Sequence, residues 1–168
     1  MTRTTMTDTL AVTVHDLLWQ DPAGAVLRAA MAAEVRGRYA DRLGDRTRLP
    51  SIVVPVDPDT VAYTGVAYVA EEPVGHLALR RHRRDVEIKR MYVVPEWRGR
   101  GVSSALLRAA EDAAGRLGAR RFVLQTGDRQ PDAVRCFLKH GFVEVPVFAP
   151  YKAMAYSRCF AREVDVDA

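Results

Sequence analysis

The chain has 168 residues, 48% hydrophobic and 27% charged, with a net charge of +4, the profile of one globular domain large enough to bury a core. No apolar run approaches the ~18 residues of a membrane span, the opening stretch Met1-Thr2-Arg3-Thr4-Thr5-Met6 lacks a signal peptide's apolar segment, and Cys136 and Cys159 are too few for a disulfide framework or a zinc site. A reducing cytoplasm is the expected compartment, no metal is expected, and the mildly basic balance permits a nucleic-acid partner without requiring one.

Residues 1–9 are polar and Thr-rich and read as a disordered tail, leaving 10–168 as a single domain. Leu10 to Trp19 alternates loosely, a first strand. Asp21-Pro22 opens a helix, with aspartate at the cap and proline at the first helical position. Val26, Leu27, Ala30, Met31 and Val35 carry its apolar face to about Tyr39. Asp41 to Pro50 is a charged connection, and Pro50, Pro55 and Pro58 make the next stretch a loop or edge segment. Val61 to Ala70, Val74 to Arg80 and Val86 to Val94 form a meander of three strands, joined through Glu71-Glu72-Pro73 and Arg81 to Asp85. A second helix runs from about Gly99 to Leu117, where Gly118 is placed to end it. Arg121 to Thr126 is a buried-looking strand. Pro131 opens a third helix that Gly141 closes, and Phe142 to Val147 and Ala155 to Val164 are the last two strands. This order predicts an α/β chain with a mixed sheet.

The most informative stretch is Arg98-Gly99-Arg100-Gly101-Val102-Ser103, set between a strand and a helix. The first turn of a helix has unpaired N–H groups and a partial positive charge. Glycine lets backbone approach an anion closely, and arginine adds paired donors. Strand, Gly/Arg-rich turn and helix are thus a recipe for holding a pyrophosphate, although two glycines alone are a weak signal. Arg80, Arg81, His82, Arg83 and Arg84 cluster nearby in sequence. They read either as a solvated hairpin tip or as a basic rim that attracts an acidic ligand.

These residues resemble the acetyl-CoA signature of the GNAT family of N-acetyltransferases: Arg or Gln, two residues, Gly, one residue, then Gly or Ala. Arg98, Gly101 and Ser103 fill it, with serine as the departure. Glu87-Ile88-Lys89-Arg90-Met91-Tyr92-Val93, Pro95-Glu96, Gln130-Pro131-Asp132-Ala133, Phe137 and Gly141-Phe142 are also similar to members. The resemblance covers about Val74 to Val147 and continues through Tyr151 and Ser157–Phe160. It implies a mixed, mostly antiparallel sheet flanked by helices, with a parallel strand pair that splays apart. The pantetheine arm of acetyl-CoA would lie in that gap, against backbone groups of Met91, Tyr92 and Val93. Arg98, Gly99, Arg100, Gly101, Val102, Ser103 and Ser104 would hold the phosphates, with Gln130 and Phe137 also at the cofactor.

Acetyl transfer to an amine needs a positioned donor, a proton acceptor for an amine whose pKa is about 10.4 and a stabiliser for the carbonyl oxygen. Glu87 is the candidate base. It stands four residues before Met91, so alternation puts the two on one face; the other reading is an ion pair across the hairpin with one of Arg80–Arg84. The family often places an acid tyrosine where this chain has Phe137, and an asparagine where it has Gln130. Tyr151 and Tyr156 are substitutes by type and Cys136 is adjacent, with Tyr151 the first to test. His15, His76, His82 and His140 show no ligand spacing, and His76 reads as a packed or edge histidine. Trp97 reads as a hydrophobic cover on the turn. The expected activity is N-acetylation of a primary amine, most simply a small molecule, by direct attack. The rivals are an inactive acetyl-CoA-binding sensor and, on the arginine cluster alone, a nucleic-acid-binding module, which lacks any recognition motif. The last strands offer edges that a second copy could cover, so a homodimer is possible.

Overall fold

The computed structural model describes residues 11–42 and 54–165. The expected disordered tail and most of the charged connection lie outside them. Among the described residues there are seven strands: β1 (Val12–Asp16), β2 (Val61–Val69), β3 (Glu72–His82), β4 (Asp85–Val93), β5 (Arg121–Gly127), β6 (Val143–Val145) and β7 (Ser157–Glu163). Three α-helices, α1 (Pro22–Arg38), α2 (Val102–Arg116) and α3 (Pro131–Lys139), are interleaved in the expected order. The start of α1 follows the sequence signal closely. Pro22 is its first residue, and the Asp21 carboxylate accepts from Ala23 N at 2.9 Å. By contrast α2 begins at Val102 rather than Gly99, because Gly99 and Gly101 take φ +72° and +86°, outside helical backbone.

The strands form one sheet in the order β1-β2-β3-β4-β5-β7-β6. Neighbours are antiparallel except β4 and β5, which are parallel and pair only at Val86↔Phe122 and Glu87↔Val123. Beyond Glu87 the two diverge, while β5 stays paired with β7 along its whole length. The gap expected from the resemblance is therefore present between these strands.

Alternation along β3 sends Leu77 and Leu79 to one face and His76, Ala78 and Arg80 to the other. The first face carries the larger core, where Leu77, Leu79 and Ile88 meet Leu106 of α2 and Phe137 of α3. The second face receives α1 and the segment before β7, with Val35, Tyr39, Tyr151, Met154, Tyr156 and Cys159 in contact.

A bulge corrects one expectation. His76 pairs with Tyr92 but Ala78 pairs with Lys89, so β4 holds one residue more than β3 there. Arg90 absorbs it at φ +54°. The extra residue resets the alternation, so Lys89 and Tyr92, not Met91, share the face of Glu87. Met91 packs instead against the α2-side core.

Candidate active site

A cavity of about 240 Å³ opens between the start of α2, the end of β4, α1 and α3. Eight of the expected cofactor residues line it: Met91, Tyr92, Val93, Arg98, Gly99, Ser103, Gln130 and Phe137. A second cavity of about 80 Å³ lies in the splay itself, between Ile88–Met91 and Leu124–Gly127, and shares Met91, Gln130 and Phe137 with the first. The two make one trough that passes through the sheet.

The α2 end of this trough suits an anion. Gly101 is the cap of α2 and no side chain bonds the first turn. A Cβ built on Gly99 or Gly101 meets nothing within 4 Å. The glycines thus leave open space in front of the helix N-terminus, where a phosphate would sit. Arg98 donates from Nε to Val93 O at 3.0 Å and from Nη2 to Glu34 Oε2 at 2.7 Å, which aims its guanidinium across the mouth. Ser103 on the wall is small enough to leave that space free.

Other expected cofactor residues stand differently. The Val102 side chain is in the core, so only its backbone can face a ligand. Ser104 Oγ is 2.9 Å from His140 Nε2. His140 Nδ1 lies 2.8 Å from Cys136 O; a carbonyl can only accept, so Nδ1 donates there. Arg100 stacks its guanidinium over the Trp97 ring at 5.0 Å and does not line the trough. Trp97 itself is on the wall of the larger cavity.

The basic cluster does not form a rim near Arg98. Arg81, Arg83 and Arg84 surround a separate depression with Leu117–Arg120, at the far end of a helix about 22 Å long at 1.5 Å per residue. Arg80 turns inward. Its Nε donates to Glu87 Oε2 at 2.6 Å, the ion pair that was the other reading of Glu87.

Glu87 is 0% exposed and lines neither cavity. Both its oxygens are occupied: Arg80 holds Oε2, while Oε1 accepts from the Tyr151 hydroxyl in a short bond and from Lys89 Nζ at 3.5 Å. Tyr151, also fully buried, accepts from Lys89 Nζ at 2.8 Å and from Arg80 Nη2 at 3.2 Å. Burial, then the adjacent Glu87 charge, pushes the tyrosine hydroxyl well above its ordinary range, so it stays protonated. Lys89 is the member of this cluster that reaches the smaller cavity. Burial holds its ammonium down to about 8, against an opposing pull from Glu87. The sequence reading had given Lys89 no role. Its signal was the i, i+2 spacing from Glu87 in a strand, which puts both on one face.

Of the remaining candidates for an acid, Phe137 packs edge-on to Phe142 at 5.4 Å and has no proton to give. Tyr156 lines the smaller cavity and Cys136 the larger, the thiol of Cys136 raised by burial. The cover of the trough comes from α1: Met31, Glu34, Val35 and Arg38 are on the wall. Arg38 bonds Asp132 of α3 and Glu34 of its own helix. Among the described residues no group of three or more His, Cys, Asp or Glu could hold a metal, and no helix is long and apolar enough to cross a membrane.

A family model described as acetyltransferase (GNAT) family matches residues 13–142. A Klebsiella pneumoniae protein described as an acyl-CoA N-acyltransferase has a similar structure, with a TM-score of 0.74 and 25% identity, covering 93% of this chain and 99% of that one. A Bacillus subtilis acetyltransferase, solved in complex with CoA, superposes with a TM-score of 0.62 at 15% identity, over 91% of this chain and 99% of that one. In sequence, an IAA acetyltransferase of Azospirillum brasilense is 37% identical over 65 residues. That match spans 39% of this chain and 42% of that protein, less than half the length of the curated relative.

Proposed function

The chain belongs to the GNAT acetyltransferase family, and from that membership we propose that it moves the acetyl group of acetyl-CoA onto a primary amine by direct attack. The observation that carries the reading is the trough. It runs from an uncapped helix N-terminus, past the open edge of β4, and through the split sheet to a small cavity on the α1 face. Arg98 and the backbone of Gly101–Ser104 would take the pyrophosphate, and Met91–Val93 the pantetheine arm. Bound there, acetyl-CoA supplies an activated acyl group. The protein supplies position, dryness and a path for the proton. The smaller cavity has room for a small-molecule amine, and its wall includes the aromatic rings of Tyr39 and Tyr156.

The second reading, a sensor that binds acetyl-CoA without turnover, draws on Phe137 standing where the family often has its acid. One experiment separates the two and tests both against error. Acetyl-CoA raises the melting temperature, as any ligand of the folded state does, and an amine panel releases free CoA thiol. Gly101→Val abolishes the thermal shift, because a β-branched residue does not hold the φ of +86° that shapes the turn and its side chain would enter the space in front of the helix. A thermal shift without thiol release from any amine supports the sensor. An undiminished shift in Gly101→Val overturns the phosphate site.

A further inference from the structure

We propose that Lys89 is the group that accepts the proton of the acceptor amine, with Glu87 and Tyr151 as positioning residues that hold and poise it. The inference rests on the transferase reading above and deepens it.

Three observations lead there. The first is access. Glu87 and Tyr151 line neither cavity, while Lys89, 6% exposed, lines the cavity in the splay. Lys89 lies two residues beyond the last β4–β5 pair, at the point where the gap opens.

The second is geometry at Nζ. A protonated lysine has three donors. Two positions are taken, by the Tyr151 hydroxyl at 2.8 Å and Glu87 Oε1 at 3.5 Å. No described residue bonds the third. In the neutral amine that position is the lone pair, and the cavity is the side left to it.

The third is residue choice. The chain uses 22 arginines and three lysines, Lys89, Lys139 and Lys152. The other two are exposed, and Lys89 alone is built into the site. Arginine would make the same ion pair with Glu87 and bond Tyr151 as well, but it does not give up its proton in a protein. Among the described residues Lys89 is the one buried lysine or arginine, and a lysine there is what proton transfer requires. Its environment allows it: burial lowers the ammonium to about 8, with Arg80 and Arg90 adding to the effect and Glu87 opposing it. Cys159 and Tyr151, which also face this cluster, are both held protonated by burial.

The balance closes. Attack forms the N–C bond, and the surplus proton on nitrogen passes to neutral Lys89 Nζ. The C–S bond breaks with its electron pair on the departing thiolate. The Lys89 ammonium then returns the proton to that thiolate or to water in the trough. One residue serves as base and then acid, which accounts for a site that functions with Phe137 at the usual acid position.

The test has an arm that needs no turnover. Competitive labelling of the free protein with deuterated acetic anhydride, mapped by mass spectrometry across pH, reads each lysine's titration. Lys89 titrates near 8, below the ordinary lysine value of about 10.4. The kinetic arm uses benzylamine, or the amine of the panel turned over fastest. Lys89→Met and Lys89→Arg both lower kcat by about 10²- to 10⁴-fold, although the arginine keeps the charge and the hydrogen bonds. Glu87→Gln retains turnover, and the midpoint of its kcat/KM profile moves to lower pH by about one pH unit or more, since the carboxylate that favours the ammonium is gone. The amine's own titration is common to both proteins and cancels. A Lys89→Arg protein that keeps pace with the parent overturns the proposal alone, as does a Lys89 that labels like its two exposed counterparts. A Glu87→Gln protein that loses turnover with no movement of its profile returns the base to Glu87. If the parent acetylates no amine of the panel, the transferase reading falls and the proposal with it.

Discussion

At the scale of residues, the face of the sheet under α1 carries buried polar side chains whose roles are fixed by their hydrogen-bond partners. His76 shows this most plainly. It is fully buried, with Nδ1 2.8 Å from Arg90 O and Nε2 3.1 Å from Arg28 Nη1. The carbonyl can only accept and the guanidinium can only donate, so the ring is neutral with its proton on Nδ1. It thereby ties the β4 bulge to α1. Burial lowers its pKa to about 4, from about 6.5. A base depressed on folding favours the folded state above its unfolded pKa. That contribution is lost as pH falls from about 6.5 through about 4, where the unfolded chain takes up the proton first. Urea midpoints recorded between pH 7 and pH 4 therefore fall, and the fall is shallower in His76→Asn than in the parent. Equal slopes in the two proteins would assign the acid sensitivity to carboxylates elsewhere.

At the scale of elements, the distinction that matters is between what a local pattern encodes and what only tertiary pairing decides. The starts of α1 and α3 were legible because they are local chemistry: Asp21 and Pro22 for α1, Pro131 for α3. Six residues named from one strand and one turn, with Gln130 and Phe137 of the third helix and its cap, line a single cavity. The bulge at Arg90 was not legible. Nothing in the local sequence demands φ +54° there; it follows from β3 and β4 accommodating different numbers of residues. Missing it misplaced Met91 on the face of Glu87. The arginine cluster was misplaced for a related reason. Proximity in sequence to Arg98 suggested a shared rim, yet the β3–β4 turn and the start of α2 lie at opposite ends of the helix. Removing charge at Arg83 and Arg84 together should then leave the acetyl-CoA dissociation constant within about twofold at 0.15 M salt, where screening acts beyond about 8 Å. Titration of the double serine variant by calorimetry checks this, and a tenfold loss would restore the cluster to the binding site.

At the scale of the molecule, two groups of strands meet at a seam. β1 to β4 form one group and β5, β7 and β6 the other, joined through two residue pairs across the seam. Besides the shared core, where Phe122, Leu124 and Phe160 join Leu77 and Ile88, and the buried bond of Tyr151 to Glu87, what spans it is polar: Arg38 to Asp132, Tyr39 to Asp128 and to Arg129 N, and Arg42 to Asp128. Partly exposed ion pairs of this kind contribute little, so local opening of the sheet is expected to begin where its ladder is shortest, at the seam. A donor lying in the gap would act as the missing strand and oppose that opening. Digestion by thermolysin under native conditions measures this. At acetyl-CoA a hundred times its dissociation constant, the half-life lengthens by up to about a hundredfold if cleavage passes through the opened seam. An unchanged half-life would place the weak point elsewhere. Where proteases are at work, the amount of this protein would then track the supply of its own donor, and a shortage of acetyl groups would clear the catalyst along with the substrate.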